Sequence, residues 1–279
     1  MKKEVYTLRE HHTILHPLCH QIEQQYHPQK TVIIGIQGGQ GTGKTTLSNF
    51  LKQHLAAHGF KVQSFSIDDF YSSYRERQKL HLRYPDNPFY AISRGLPGTH
   101  RVKLLRETLR KAKRGEGFTL PVFDKSLHHG GGDISKKTIP IKGRQDFILF
   151  EGWCLGLPTV SSKELVRISD KYKLPLRTID PKHTFHKIVL QFLPSYQPLW
   201  KFISYRIMLK PDSSDLHVQW RRQQERELLQ KTGKGMKLKE IEQFVMPYLP
   251  FTYVCYEKVT PDVVLRINEK HGMYSAVMV

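Results

Sequence analysis

Residues Gly38-Gly39-Gln40-Gly41-Thr42-Gly43-Lys44-Thr45 fit the pattern G-x-x-x-x-G-K-[ST] at every fixed position, and no other segment restricts the fold so tightly. By average composition the pattern arises by chance in about one chain in a hundred of this length, so its context decides. That context is present. TVIIGIQ (31–37) precedes it as a β-branched run suited to a buried parallel strand, and TTLSNFLKQHLAAHG (45–59) follows as a helix closed by Gly59. KVQSFSIDDF (61–70) then reads as a second strand ending in acids. Strand, glycine loop, helix and strand make a βαβ unit. It predicts an α/β fold with a doubly wound, mainly parallel sheet of the P-loop NTPase type.

Each motif position has a mechanical reason. Gly38 and Gly43 let the backbone turn so that successive N–H groups face phosphate oxygens, beside the positive end of the following helix. Lys44 brings a mobile positive charge to the β- and γ-phosphates, and Thr45 offers a hydroxyl to Mg²⁺. The expected nucleotide contacts are therefore Gly38, Gly39, Gln40, Gly41, Thr42, Gly43, Lys44, Thr45 and Thr46, with ATP and Mg²⁺ as cofactors.

Further along, DFILFEG (146–152), SYRIMLKP (204–211) and PDVVLRI (261–267) read as later strands. Residues 215–230 read as one helix, and 238–259 as one or two more. Residues 7–27 read as a helix broken or started at Pro17, within an N-terminal helical extension over 1–30. The segments 72–142 and 157–200 look long and irregular, too long for ordinary connections, and are expected to be substrate or lid insertions in one kinase domain spanning 1–279.

The chain carries 44 Lys and Arg against 25 Asp and Glu, a net charge of +19, which raises polyanions as partners. The basic residues are spread along the chain, however. The densest stretch, 101–114, reads as an amphipathic helix with Val102, Leu105, Leu109 and Ala112 on one face, so nucleic acid is not the expected partner. No apolar run approaches the ~20 residues of a membrane span. The three cysteines, odd in number and far apart, fit a reducing compartment, so the cytoplasm is the expected location.

A phosphate loop alone does not define a kinase. A switch GTPase would carry an N-K-x-D motif, which is missing here, and a motor or helicase would need further motifs in a larger chain. The acids at the strand ends favour transfer to a small hydroxyl acceptor. Strand alternation should separate Asp68 and Asp69, one drawing the acceptor's proton and the other serving the substrate or a metal-bound water. A turn-capping pair is the plainer reading. Glu151 stands where a carboxylate near Mg²⁺ is expected, unless it is simply a loop glutamate.

Several segments resemble a known family. SIDDFY (66–71) resembles the signature of the uridine kinase and phosphoribulokinase group. RGLPGTH (94–100), PVFDKSLHHGGGD (121–133), FEGWCLG (150–156), SYQPLW (195–200) and TGKGM (232–236) are similar to the D-glycerate 3-kinase family of plants and fungi and its bacterial relatives. The resemblance runs in order from about Thr31 to Tyr253. It implies an ATP-dependent kinase acting on a small hydroxy acceptor, glycerate first. Asp68 would be the base, and Arg94, His100, Asp124 and Lys125 would lie at the acceptor pocket. Arg221, Arg222 and Arg226 sit on a helix resembling the lid of these kinases, with Arg222 as the expected catalytic arginine. The plainer alternatives are a solvated face for the arginines and a surface ion pair for Asp124 and Lys125. Two departures stand out. The family's GTH is followed by Asp, where this chain has Arg101, and its G-R-G-D-R loop reads Gly130-Gly131-Gly132-Asp133-Ile134 here. Lys136 and Lys137 are the nearby replacements for the two missing arginines.

Other signals have plainer readings. His12, His16 and His20 repeat at helical spacing, but Pro17 interrupts any metal stripe. Cys154 reads as a packed thiol, and the aromatic run 247–256 as core. Two functional alternatives remain: a nucleotide-binding regulator without transfer activity, and a basic nucleic-acid-dependent ATPase.

Overall fold

The apolar run ahead of the glycine motif forms β1 (Val32–Gly38), buried at all seven positions because sheet neighbours and helices enclose it. The chain is seen in a computed structural model that describes residues 6–91, 94–232 and 238–278. The other strands are β2 (Val62–Ser66), β3 (Phe118–Asp124), β4 (Asp133–Ile141), β5 (Phe147–Gly152), β6 (Tyr205–Pro211), β7 (Val263–Ile267) and β8 (Met273–Met278). Six of them form one sheet in the order β2-β5-β1-β6-β7-β8, parallel except for β8. β3 and β4 pair separately as an antiparallel hairpin. The sequence reading did not include β8, whose alternation is blurred by half-exposed residues.

Alternation along the strands supplies two cores, one on each face. Ile34, Ile36, Leu149, Ile207 and Leu209 face one way and Ile33, Ile148, Phe150 and Met208 the other. On the first face lie α1 (Leu8–Glu10), a π-helical turn (His11–Leu15), α2 (His16–Gln24) and α3 (Lys44–Ala57). Leu47, Leu51 and Leu55 of α3 are fully buried there, worth about 1.5–3 kcal/mol each in transfer from water. Pro17 stands in the first turn of α2, where its missing N–H leaves no bond unmade, and the wide π turn joins that helix to the one before. Leu15, Leu18 and Ile22 are fully buried, so this N-terminal segment completes the core.

The two segments expected to be irregular are largely helical. The first holds α4 (Tyr74–Arg83), α5 (Pro88–Ala91), α6 (Val102–Lys113) and the β3–β4 hairpin. Ser73 and Glu76 form a capping box that starts α4. The second holds α7 (Ser162–Lys171), α8 (Leu176–Ile179) and α9 (Phe185–Trp200). Pro194 and Pro198 lie inside α9, and an interior proline costs about 3 kcal/mol in helix propensity, which hid this helix. Burial of Val189, Leu193, Tyr196 and Leu199 outweighs that cost. The Asp180 carboxylate also receives the N–H groups of Thr184 and His186 at the helix start.

After β6 come α10 (Leu216–Thr232), α11 (Leu238–Val245) and α12 (Leu249–Lys258). Residues 247–256 are buried, as expected of a core run. All three cysteines are free and buried, and burial pushes the Cys154 thiol well up, as suits a packed thiol. Of the TGKGM segment, Gly233–Met236 lie outside the described residues. Among the described residues, no helix is long and apolar enough to cross a membrane.

Candidate active site

β1 delivers the glycine motif to the carboxyl edge of the sheet, where the backbone leaves the strand and re-enters as α3. Gly41 and Gly43 take positive φ values of +79° and +87°, and Gly43 is the residue just before the helix. The first turn of α3 leaves its N–H groups without intrahelical partners, a ready anion cradle. Thr46 is exposed in that turn. Neighbouring side chains hold the loop's backbone groups. His217 Nδ1–H donates to the Gln40 carbonyl at 2.8 Å and His271 Nε2–H to the Gly41 carbonyl at 3.0 Å. Gly39 N–H donates to the Tyr256 hydroxyl at 2.9 Å, and Thr42 Oγ1 donates to the Gly39 carbonyl at the same distance. Trp220 closes over Gly41 and stacks on His271, with ring centroids 4.5 Å apart.

A Cβ added at Gly39 would lie 2.2 Å from His217 Cε1. Gly39→Ala should therefore push the imidazole off the Gln40 carbonyl, costing about 1–3 kcal/mol of stability and weakening nucleotide binding. A Gly39→Ala/His217→Ala double variant should regain part of the lost melting temperature, because the clashing ring is gone. An unchanged melting temperature in the single variant would show the clash to be harmless.

Three carboxylates gather in front of the loop. Glu151 is the penultimate residue of β5, which lies between β1 and β2, in register with Ile36 and Ser66. Thr45 Oγ1 donates to Glu151 Oε1 at 2.8 Å. Burial pushes the Glu151 carboxyl up, opposed by the Lys44 ammonium. Lys44 Nζ donates to the Gly39 carbonyl at 2.8 Å, and burial pushes its ammonium down, opposed by Glu151 and Asp68.

β2 stops at Ser66, so strand alternation does not separate Asp68 from Asp69 as expected. A 3₁₀ turn over Ile67–Phe70 does so instead. Asp69 Oδ2 turns back to accept the Ser66 N–H at 2.8 Å, fixing the turn, and burial raises its pKa. Both aspartates line the cleft, and Asp68 makes the contacts across it. Its Oδ1 accepts the Tyr71 hydroxyl at 2.7 Å, and its Oδ2 lies 3.6 Å from Lys125 Nζ. These groups line one cleft of about 2210 Å³ together with Arg94, Arg221 and Tyr248.

The remaining predicted residues divide. Arg94 and Lys125 line the cleft. Arg94 also donates to the Gly130 carbonyl at 2.6 Å, and its own carbonyl accepts the Tyr248 hydroxyl at 2.8 Å. Asp124 does not line it. Its carboxylate accepts the N–H and Oγ of Ser126, a turn role that presents Lys125. His100 is buried behind Tyr71, stacked at 4.7 Å, with Nδ1 2.9 Å from the Tyr196 hydroxyl, so it backs the Asp68–Tyr71 pair and does not line the cleft. Arg222 pairs with Glu242 between α10 and α11, off the cleft, while its neighbour Arg221 lines it. Arg226 is exposed and does not line the cleft. Lys136 and Lys137 lie exposed on β4 and do not replace the missing arginines in the cleft; Arg77 holds the Gly131 and Gly132 carbonyls. Arg101 donates its N–H to the Phe70 carbonyl, off the cleft.

Residues not singled out from the sequence include Tyr71, His217, Tyr248, Tyr256 and His271. Tyr71 belongs to the quoted SIDDFY run, and His217 precedes the arginines of its helix by one turn, so both had a signal nearby. The others act through tertiary contacts alone.

Burial pushes His100 and His217 down to about 4, so both are neutral at pH 7. An unfolded imidazole takes its proton near pH 6.5. The unfolded state therefore binds more protons between there and about pH 4, and the stability these groups contribute falls as pH drops through that window. Urea melts should show a loss of roughly 2 kcal/mol per histidine between pH 7 and 5. A midpoint that does not move would contradict this assignment.

A glycine-cradled anion site, with a lysine, a threonine–glutamate pair and a second carboxylate facing one cleft, defines a P-loop kinase. No family model matches the chain. Among known proteins, it is 33% identical over 243 residues to the Schizosaccharomyces pombe protein named "Uncharacterized kinase mug58", covering 84% of each chain. It is 32% identical over 228 residues to the Saccharomyces cerevisiae "Probable ATP-dependent kinase TDA10", covering 78% of this chain and 76% of that one. The solved D-glycerate 3-kinase from Cryptococcus neoformans superposes with a TM-score of 0.81 at 27% identity, over 95% of this chain and 96% of that chain. The chain belongs to the glycerate kinase-like P-loop kinases, and it is also 27% identical over 206 residues to a uridine kinase of Latilactobacillus sakei.

Proposed function

We propose that this kinase transfers the γ-phosphate of ATP to a hydroxyl of a small hydroxy acid, with D-glycerate as the leading acceptor. The observation that carries the reading is the placement of the Asp68 carboxylate in the same cleft as Lys44, Thr45 and Glu151. The acceptor hydroxyl oxygen bonds to the γ-phosphorus, its proton passes to Asp68 Oδ2, and the bond to the ADP oxygen breaks. Tyr71 holds Asp68 by its other oxygen, leaving that lone pair available. Thr45 and Glu151 are hard oxygen donors already in contact, which suits Mg²⁺; when bound there, the ion would neutralise phosphate charge. Arg94 and Lys125 offer positive charge for an acceptor carboxylate on the far side of Asp68. The likeness to the fungal D-glycerate 3-kinase favours glycerate over other hydroxy acids.

Arg221 is the arginine suited to the transferred phosphoryl group, since it lines the cleft while Arg222 is engaged by Glu242. Arg221→Ala should slow turnover by at least about tenfold, below the ~10²–10³ of a fully engaged donor because it now pairs with Glu225. Arg222→Ala should cost much less. The reverse order in steady-state kcat would restore Arg222 to the role.

The reading is tested by ADP release against a panel of glycerate, other sugar acids, nucleosides and pantothenate, with phosphorus NMR of the product. Turnover that requires a hydroxy acid and yields its phosphomonoester supports it. Turnover with a nucleoside only would reassign the acceptor. Tight ATP binding without acceptor-dependent ADP would leave a nucleotide-binding regulator.

A further inference from the structure

A second group of ligand-bearing side chains lies at the far end of α3. His54 and His58 sit one turn apart near the end of that helix, and Glu23 faces them from α2. Glu23 Oε1 is 3.0 Å from His54 Nε2 and 3.5 Å from His58 Nδ1. The two imidazole centroids are 4.2 Å apart, and the three ligand atoms all fall within 4.8 Å of one another. A tetrahedral ion with bonds of about 2.0–2.2 Å to imidazole nitrogen and carboxylate oxygen sets its ligand atoms roughly 3.3–3.5 Å apart. The separations from Glu23 straddle that value, so only small side-chain movements are required.

The donor set decides which ion fits. Two imidazole nitrogens and one carboxylate suit borderline divalent metals, Zn²⁺ foremost, whereas Mg²⁺ prefers oxygen ligands and octahedral geometry. His54 and Glu23 are about a quarter exposed and His58 about half, so water can reach the fourth position. His58 Nδ1 now meets the His54 carbonyl at 2.9 Å, a bond the ring must give up on coordination. Ten residues separate His54 from Lys44, about 15 Å along the helix, so this group is distinct from the Mg²⁺ ligands of the phosphate loop.

We propose that Glu23, His54 and His58 form a three-ligand site for a Zn²⁺-class cation that clasps α2 to α3. The plainer account is that Glu23 bonds the His54 imidazole, His58 bonds the His54 carbonyl, and no metal binds. Tag-free protein stripped with chelator and titrated with Co²⁺ or Zn²⁺ in excess Mg²⁺ separates the two. One ion per chain is expected, with the visible absorption of four-coordinate Co²⁺ and a higher melting temperature. His54→Ala and His58→Ala should each weaken binding by at least about tenfold, the lower end of the cost of losing even an indirect partner. The double variant should abolish it, while His16→Ala retains it and ATP turnover is unchanged in all four. Binding no tighter in the native chain than in the folded double variant would overturn the proposal. So would loss of the ion in His16→Ala.

Discussion

Asp68→Asn is expected to lower kcat by at least ~100-fold, the lower end of what a positioned general base contributes, while leaving ATP affinity nearly intact. Asparagine keeps the shape and can still accept the Tyr71 hydroxyl, so the 3₁₀ turn and its capping by Asp69 should survive. What disappears is the anionic oxygen facing the acceptor side, along with the charge partner of Lys125. Pre-steady-state transfer rates and equilibrium ATP binding, measured on the same protein, separate chemistry from binding. Activity retained in Asp68→Asn would remove Asp68 from the base role. Weakened ATP binding at an unchanged transfer rate would make it a nucleotide ligand instead.

Lys44→Ala should be comparably severe, at least ~100-fold in kcat, the scale for removing one preorganised electrostatic contact from a transition state. Lys44 rests on the Gly39 carbonyl, its ammonium pushed down by burial, a push that Glu151 and Asp68 oppose. An arriving triphosphate offers oxygens in place of that carbonyl and adds negative charge that favours the ammonium. Because that gain accompanies binding, Lys44→Ala should also weaken ATP affinity, unlike Asp68→Asn. Lys44→Arg should not restore activity, since the planar guanidinium is too broad for a position already in contact with the loop backbone. Isothermal titration with ATP and single-turnover kinetics on the three variants test the contrast. Full turnover in Lys44→Ala would deny the loop its role in transfer.

Much of this arrangement was legible because local chemistry dictates it. Of the motif's two fixed glycines, Gly43 takes a positive φ, while Gly38 ends β1 where a Cβ would lie 2.6 Å from Thr42 Oγ1. Residues 31–37 could only be a buried strand, and the loop, helix and second strand followed from spacing. The less legible parts depend on what a segment packs against. Pro194 and Pro198 argue against a helix at residues 185–200, and only buried Val189, Leu193 and Tyr196 override them. Asp68 and Asp69 were placed at the right edge for the wrong reason, since a capped turn separates them where strand alternation was expected. Arg221 and Arg222 are one residue apart, about 100° around the helix, and which of them meets the cleft depends on where α11 sets Glu242. His100 and Asp124 were placed near the acceptor by resemblance; the first backs Tyr71 and the second shapes the turn before Lys125.

The most direct measurement is a solved complex with a non-hydrolysable ATP analogue, Mg²⁺ and the acceptor identified by the panel. The account predicts the acceptor hydroxyl within about 2.6–3.2 Å of Asp68 and in line with the γ-phosphorus. An acceptor seated elsewhere in the cleft, its hydroxyl out of reach of Asp68 while the phosphates lie in the loop, would contradict it.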